Sequence, residues 1–264
     1  MAPSTQPKAQ VGIIGGSGLY ELFDTARTVA VPTAYGAPSA PVTIAEVDGR
    51  SVAFLPRHGL SHEYPPHQIN YRANIDALDQ LGVRQIVAPC AVGGLKVGMS
   101  PGDLVIPDQL VDWTRGRPQS FHDEFASVPE HARFADPYCA SVRRSVVAAA
   151  RLQDWPARDG GTLVVIDGPR FSTRAESQFF AAQGWSLINM TGHPEAVLAR
   201  ERGICFASVG LVTDMDAGVH EGDGVSVQEV LATFAKSTRR MRELLRATVA
   251  LLPPADECSF CRPD

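Results

Sequence analysis
The sequence predicts an α/β fold, a single domain with a mixed central β-sheet flanked by helices, and two observations carry it. Short β-like runs alternate with helix-like segments along the chain, the interleaving that lays helices against a sheet. The composition, 44% apolar and 20% charged over 264 residues, suits one globular domain with a substantial core. The domain is expected to span residues 1–264, with 1–9 and 253–264 as flexible tails.

Near the amino terminus, residues 11–14, Val-Gly-Ile-Ile, form a short apolar run that reads as a buried strand, and 51–55, 85–88 and 104–106 read the same way. A helix is expected at 71–81. Residues 107–137 are irregular and rich in Pro, His, Asp and Phe, which marks a long functional loop or an interface segment. Beyond them come a helix at 140–151, a strand at 163–166, a helix at 173–183, and strands at 186–188 and 205–212. Thr173-Arg174-Ala175-Glu176 has capping-box spacing, so Gly168-Pro169-Arg170-Phe171-Ser172 falls in the loop before a helix, where ligand contacts collect. Ser226-Val227-Gln228-Glu229 offers a second box. Behind it Val227, Val230, Leu231, Phe234, Met241, Leu244, Leu245, Thr248 and Val249 recur at helical spacing and predict one buried stripe.

Two sequence features look built to hold an oxyanion. The glycines of Gly15-Gly16-Ser17-Gly18 allow a tight turn whose N–H groups point at an anion, and Ser17 adds a hydroxyl. This loop lacks the third glycine of a dinucleotide fingerprint and the Lys-Ser/Thr of a P-loop, and Leu19 stands where a hydrolase elbow needs glycine. Arg57 and His58 come just after the apolar strand 51–55. They place a forked guanidinium and a titratable ring at a strand's carboxyl end, where open α/β sheets bind ligands, and phosphate is the natural guest. At the end of strand 205–212, Asp214 and Asp216 project from one side. They either cap the next turn or recognise a nitrogen heterocycle, one carboxyl handling a ring proton.

Composition excludes several classes. Net charge is −5 with scattered basic residues, so nucleic acid is not an expected partner, and Arg239, Arg240, Arg242 and Arg246 read as a solvated helix face. No apolar run reaches a membrane span and residues 1–10 lack the pattern of a signal peptide, which leads us to expect a cytoplasmic protein. Cys90, Cys139 and Cys205 are isolated in sequence and read as small core or site-wall residues. Cys258 and Cys261 form a late pair able to make a local disulfide, half of a zinc site, or a mobile or trimer-clasping tail. His58, His62 and His67 share no helix face, because Pro65-Pro66 intervenes, and no metal is expected there.

Five segments together resemble 5′-methylthioadenosine phosphorylase. They are Val11-Gly12-Ile13-Ile14-Gly15-Gly16-Ser17-Gly18-Leu19-Tyr20, Pro56-Arg57-His58-Gly59, Asn70-Tyr71-Arg72-Ala73-Asn74, Gly168 to Ser177, and Asn189-Met190-Thr191-Gly192-His193-Pro194-Glu195-Ala196. The resemblance, to a family of trimeric purine nucleoside phosphorylases, runs from the first strand to the last helix. It implies a phosphorylase-type fold, a homotrimer with sites near subunit boundaries, and cleavage of a purine nucleoside by inorganic phosphate as co-substrate, with no other cofactor.

Carried over by position, the resemblance puts phosphate among Ser17, Arg57, His58, Cys90, Ala91 and Thr191, where Ser17 and Cys90 replace residues that commonly bear a hydroxyl. It puts Met190 under the ribose, Phe171 and Ser172 beside the purine, Asp214 at N7 and Asp216 near the 6-amino group. His62, Val227, Val230 and Leu231 would surround the 5′ substituent, with His131 reaching in from a neighbouring subunit. Asp214 and His58 would be the catalytic pair, and Asp214 would need a pKa raised by burial and by Asp216. Two other enzyme readings are a 6-oxopurine nucleoside phosphorylase and a phosphorylase of another 5′-substituted adenosine. The carboxylate pair favours an amino group over an oxo group at C6. A non-catalytic phosphate sensor on the same fold is a further alternative.

Overall fold
The computed structural model describes residues 8–16, 19, 26–124, 131–219 and 224–258. Eleven strands among these residues join into one mixed sheet. Its centre is parallel: β1 (Val11–Gly15) lies between β4 (Arg50–Pro56) and the first half of β5 (Gln85–Gly94). β2 (Ala26–Val29) and β3 (Val42–Val47) extend it antiparallel beyond β4.

The long strand β5 connects the two halves. Its far end pairs antiparallel with β10 (Leu187–Asn189), which leads through β9 (Thr162–Ile166) to β7 (Gln109–Trp113). Along its other edge runs β11 (Cys205–Met215), parallel throughout, with β6 (Leu104–Ile106) and β8 (Ala157–Asp159) outside it.

Strand alternation divides the core into two layers. Val11, Ile13, Val52, Phe54, Cys205, Ala207, Val209 and Leu211 meet α2 (Ala140–Leu152) and the second half of α5 (Val227–Leu251). Ile14, Ala53, Leu55 and Phe206 face the opposite way, toward α1 (Tyr71–Gln80) and α4 (Gly192–Glu201). α3 (Arg174–Ala182) covers Ile166 and Ile188 through Phe180. Its capping box is complete: the Thr173 hydroxyl accepts from the Glu176 N–H and the Glu176 carboxylate accepts from the Thr173 N–H. At α5 the Ser226 hydroxyl accepts from the Glu229 N–H, but Glu229 takes the hydroxyl proton of Ser226 instead of its amide.

Several expectations need correction. The predicted stripe of α5 is buried only at Met241, Leu244, Leu245, Thr248 and Val249, while Val227 and Leu231 are each 54% exposed. The segment 107–137 contains β7. Strands β2, β3 and β8 and helix α4 had no counterpart in the sequence reading. The inner ends of both expected tails are held: the Ala9 N–H donates to Leu81 O, the Gln85 amide donates to Pro253 O, and Cys258 lies against Cys139. Residues 1–7 and 259–264 lie outside the described residues. No helix among the described residues is long and apolar enough to cross a membrane.

Candidate active site
The floor of the site is made where β5 and β11 end side by side. Register slips between Val212 and Asp214, so Thr213 is an extra residue opposite the Val92-Gly93 step. Such a bulge bends the strand and re-aims the side chains beyond it. The Thr213 hydroxyl donates to Asp214 Oδ2 at 2.8 Å. Asp214 and Asp216 both pass over Gly93. A Cβ there would lie 2.9 Å from Ile188 Cγ2 and 3.1 Å from Asp214 Oδ1, closer than side-chain packing tolerates, so glycine is the residue that admits the carboxylate. Burial, with Asp216 and Glu229 adding like charge, lifts Asp214 to about 6, against the Thr213 hydrogen bond that favours its anion. Asp216 is buried, and its carboxylate accepts a short hydrogen bond from the Ser172 hydroxyl.

Arg57, His58 and Thr191, expected from the sequence to hold an anion, line the same cavity, and the first two differ from expectation. Arg57 lines the cavity but grips a protein carboxylate: Nε and Nη2 donate to Glu195 at 2.6 and 3.0 Å. Nη2 also donates to Ile14 O and Nη1 to Pro89 O. Of the five guanidinium N–H groups, only one on Nη1 remains for a ligand once these bonds are made. Burial alone would depress the Arg57 pKa, and Glu195 outweighs it to hold the group above its ordinary value. The bidentate grip on phosphate expected from sequence is therefore occupied by Glu195, a residue the sequence reading assigned no role.

His58 differs from expectation as well. Its Nδ1 sits 2.8 Å from Tyr64 O, an atom that only accepts, so the proton resides on Nδ1 and Nε2 is the acceptor of the neutral ring. Burial first, then the charge of Arg57, pulls the ring down to about 4. Cys90 Sγ is buried against Ser208 Oγ, Val209 O and the Asn189 amide, and burial pushes its thiol up, so it stays a neutral wall. Asn189, another residue absent from the expected site, accepts from the Thr191 and Gly192 N–H groups and sets the turn into α4. Thr191 is buried at the cavity wall and its side chain makes no capping bond to that helix.

The cavity holds about 530 Å³, within the range of sites for small organic ligands. Ala91, Phe171, Ser172 and Met190 line it along with both aspartates, and His62, Val227, Val230 and Leu231 line its mouth. Gly168, at φ 65°, lets the loop cross directly over Met190: a Cβ there would fall 2.5 Å from its sulfur. Glu63, which sequence reasoning did not name, and Phe234, expected only in the buried stripe of the last helix, are further lining residues. His62 stacks on His58 at 4.3 Å with its backbone at φ 60°. His131 is exposed and does not line the cavity of its own chain. Ser17 lies outside the described residues.

Comparison with known proteins shows the family to which the chain belongs. The family model of the phosphorylase superfamily matches residues 10–250. A purine nucleoside phosphorylase of Streptomyces coelicolor is 53% identical over 95% of this chain and 91% of its own length. An S-methyl-5′-thioadenosine phosphorylase of Mycobacterium tuberculosis is 51% identical, covering 96% of this chain and 93% of its own. Among solved structures, a methylthioadenosine phosphorylase from an antarctic soil metagenomic library is similar with a TM-score of 0.90 at 38% identity, covering 97% of this chain and 90% of its own. The chain belongs to the phosphorylase superfamily, among its purine nucleoside and methylthioadenosine phosphorylases.

Proposed function
We propose that this enzyme cleaves 5′-methylthioadenosine with inorganic phosphate, giving adenine and 5-methylthioribose 1-phosphate, with no metal or organic cofactor in the reaction. The observation that carries the reading is one cavity with an anion corner at Arg57, His58 and Thr191, a protonatable carboxylate at Asp214, and apolar side chains at its mouth. As the C1′–N9 bond breaks, its electron pair moves onto the purine and positive charge develops on the sugar. Asp214 delivers a proton to N7, so the base departs as neutral adenine, and a phosphate oxygen bonds to C1′.

The phosphate pole is assigned to Ser17, Arg57, His58, Cys90, Ala91 and Thr191. Within it the remaining Nη1 N–H of Arg57 and the Thr191 hydroxyl donate, and Nε2 of neutral His58 accepts a hydrogen bond from the P–OH of monohydrogen phosphate, which keeps its proton. Met190 lies under the ribose, and Phe171 and Ser172 flank the purine. Because Ser172 spends its proton on Asp216, that edge presents acceptors to the base, which suits a 6-amino group better than a 6-oxo group. A 6-oxopurine nucleoside phosphorylase is the second candidate, and the generic name of the Streptomyces relative, purine nucleoside phosphorylase, is compatible with either base. At the 5′ end Val227, Val230 and Leu231 favour a methylthio group, with His62 alongside. We further propose a cytoplasmic homotrimer in which His131 of a neighbouring subunit closes this end.

The test measures phosphate-dependent base release from methylthioadenosine, adenosine and inosine. Burying the methylthio group while a hydroxyl forfeits solvent should favour methylthioadenosine over adenosine by about tenfold or more in kcat/KM. Equal constants for those two nucleosides, or a larger one for inosine, would overturn the assignment.

A further inference from the structure
We propose that Cys139, Cys205 and Cys258 form a structural site for a thiophilic divalent cation such as zinc, outside the active-site cavity. The three lie far apart in sequence, yet their sulfur atoms fall within 4.8 Å of one another. Three separate elements bring them there. Cys139 is the N-cap of α2, Cys205 opens β11, and Cys258 comes directly after the short 3₁₀ turn Ala255–Glu257 beyond α5. The backbone fixes the first two, because the Cys139 N–H donates to Phe206 O at 2.8 Å and the Cys205 N–H to Arg84 O at 3.0 Å.

The spacing suits coordination better than a disulfide. Tetrahedral zinc with Zn–S bonds of about 2.3 Å sets neighbouring sulfurs about 3.8 Å apart. Cys139 and Cys258 are already 3.7 Å apart. A disulfide would need about 2.0 Å and would employ only two of the three sulfurs. Chemistry agrees with geometry: a set of thiols without carboxylate or imidazole selects soft or borderline metals such as zinc. A second cavity, of about 350 Å³, is lined by Cys205 and Cys258 and provides a way in. Such a site would fasten the segment after α5 to α2 and β11, at the end of α5 opposite its cavity-lining residues.

The experiment uses the full chain, purified reduced and without chelator, then supplied with equimolar zinc and dialysed. Elemental analysis should find about one zinc per chain. Cobalt in its place should give the thiolate charge-transfer and tetrahedral d–d bands. Cys205→Ser and Cys258→Ser should each lose the metal and the bands and lower Tm, while phosphorolysis stays within about twofold. Zinc retained by Cys205→Ser would put the metal on the tail pair alone and overturn the proposal. If a variant fails to fold, the wild-type chain still decides: reduced thiols that bind no zinc, or Cys139 recovered in a disulfide under non-reducing peptide mapping, would refute the site.

Discussion

Asp214 needs a proton that neutral water works to remove, and burial is what keeps it within reach. With the group at about 6 in the folded chain and 3.8 as the ordinary value, the native state holds the proton more tightly than the unfolded state does. Its contribution to stability is therefore complete below about pH 3.8 and lost as pH rises through 6. Asp214→Asn should stabilise the unliganded protein above pH 6, by on the order of 2 kcal/mol, and leave it unchanged near pH 4. Thermal melts across that range check the sign. The same variant should lose a hundredfold or more in kcat for methylthioadenosine, since an amide has no proton to release. A 6-oxopurine nucleoside, whose N7 and O6 both accept, should lose less. Equal losses for both nucleosides in a folded protein would return the carboxylate pair to a strand-end cap. Arg57 presents a different problem, because Glu195 already neutralises it. Glu195→Ala strands a buried cation and should cost about 3–5 kcal/mol, while the double variant Arg57→Ala/Glu195→Ala should be more stable than that single one. If the remaining N–H serves phosphate, the double variant still shows a raised phosphate KM; a normal KM would make Arg57 structural only.

The two halves of α5 do different things with one apolar pattern, and substitutions separate them. Leu244 is fully buried against α2 and the sheet, so Leu244→Ala should cost about 2–5 kcal/mol and leave the KM for methylthioadenosine near its original value. Leu231 is 54% exposed at the cavity mouth, so Leu231→Ala should cost under about 1 kcal/mol while raising that KM several-fold. Denaturant melts paired with initial rates give both numbers; a large stability loss at Leu231 would mean that the first half is ordinary core. Periodicity showed that this helix exists and could not show where its stripe leaves the core. Elsewhere the same limit recurs. β1, β4 and β11 were legible because both faces are buried and their runs are continuously apolar. β2, an Ala-Arg-Thr-Val stretch with three exposed residues, has no such signal and is a strand because β3 pairs with it. α4 was hidden by Gly192 and Pro194 in its first turn, where His193 and Pro194 are not helical. The bulge at Thr213 depends on the register of β5, and the Arg57–Glu195 pair spans 138 residues, so neither is visible to local reasoning. Residue types at strand ends marked Arg57, His58, Asp214 and Asp216 as a site; their partners came from the fold.

A single chain leaves apolar side chains exposed at the active-site mouth and in a separate aromatic cluster. Val227 and Leu231 are half exposed there, and Trp113 and Phe179, at 44% and 47%, stand out of an aromatic cluster completed by Phe180 and Trp185. Exposed apolar side chains of this kind are what the proposed subunit contact would cover. His131 fits the same account: it is exposed, absent from its own chain's cavity, and proposed to serve a neighbour's. In the proposed cyclic assembly each site would be shared between two chains, Asp214 from one and His131 from the next. Complementation tests that division of labour. Asp214→Asn should be nearly inactive and His131→Ala weak at low methylthioadenosine. Co-expressed with different tags and purified through both, the two variants form mixed oligomers in which some sites hold an intact Asp214 chain beside an intact His131 chain. Every mixed trimer carries the two variants two to one, so one site in each, about a third of the total, is wild type. Low-KM activity should reappear in that proportion, and sedimentation should give the mass of three 28.3 kDa chains. Mixed oligomers without any recovery would mean that His131 does not act across a subunit boundary, and that the 5′ end is closed within one chain.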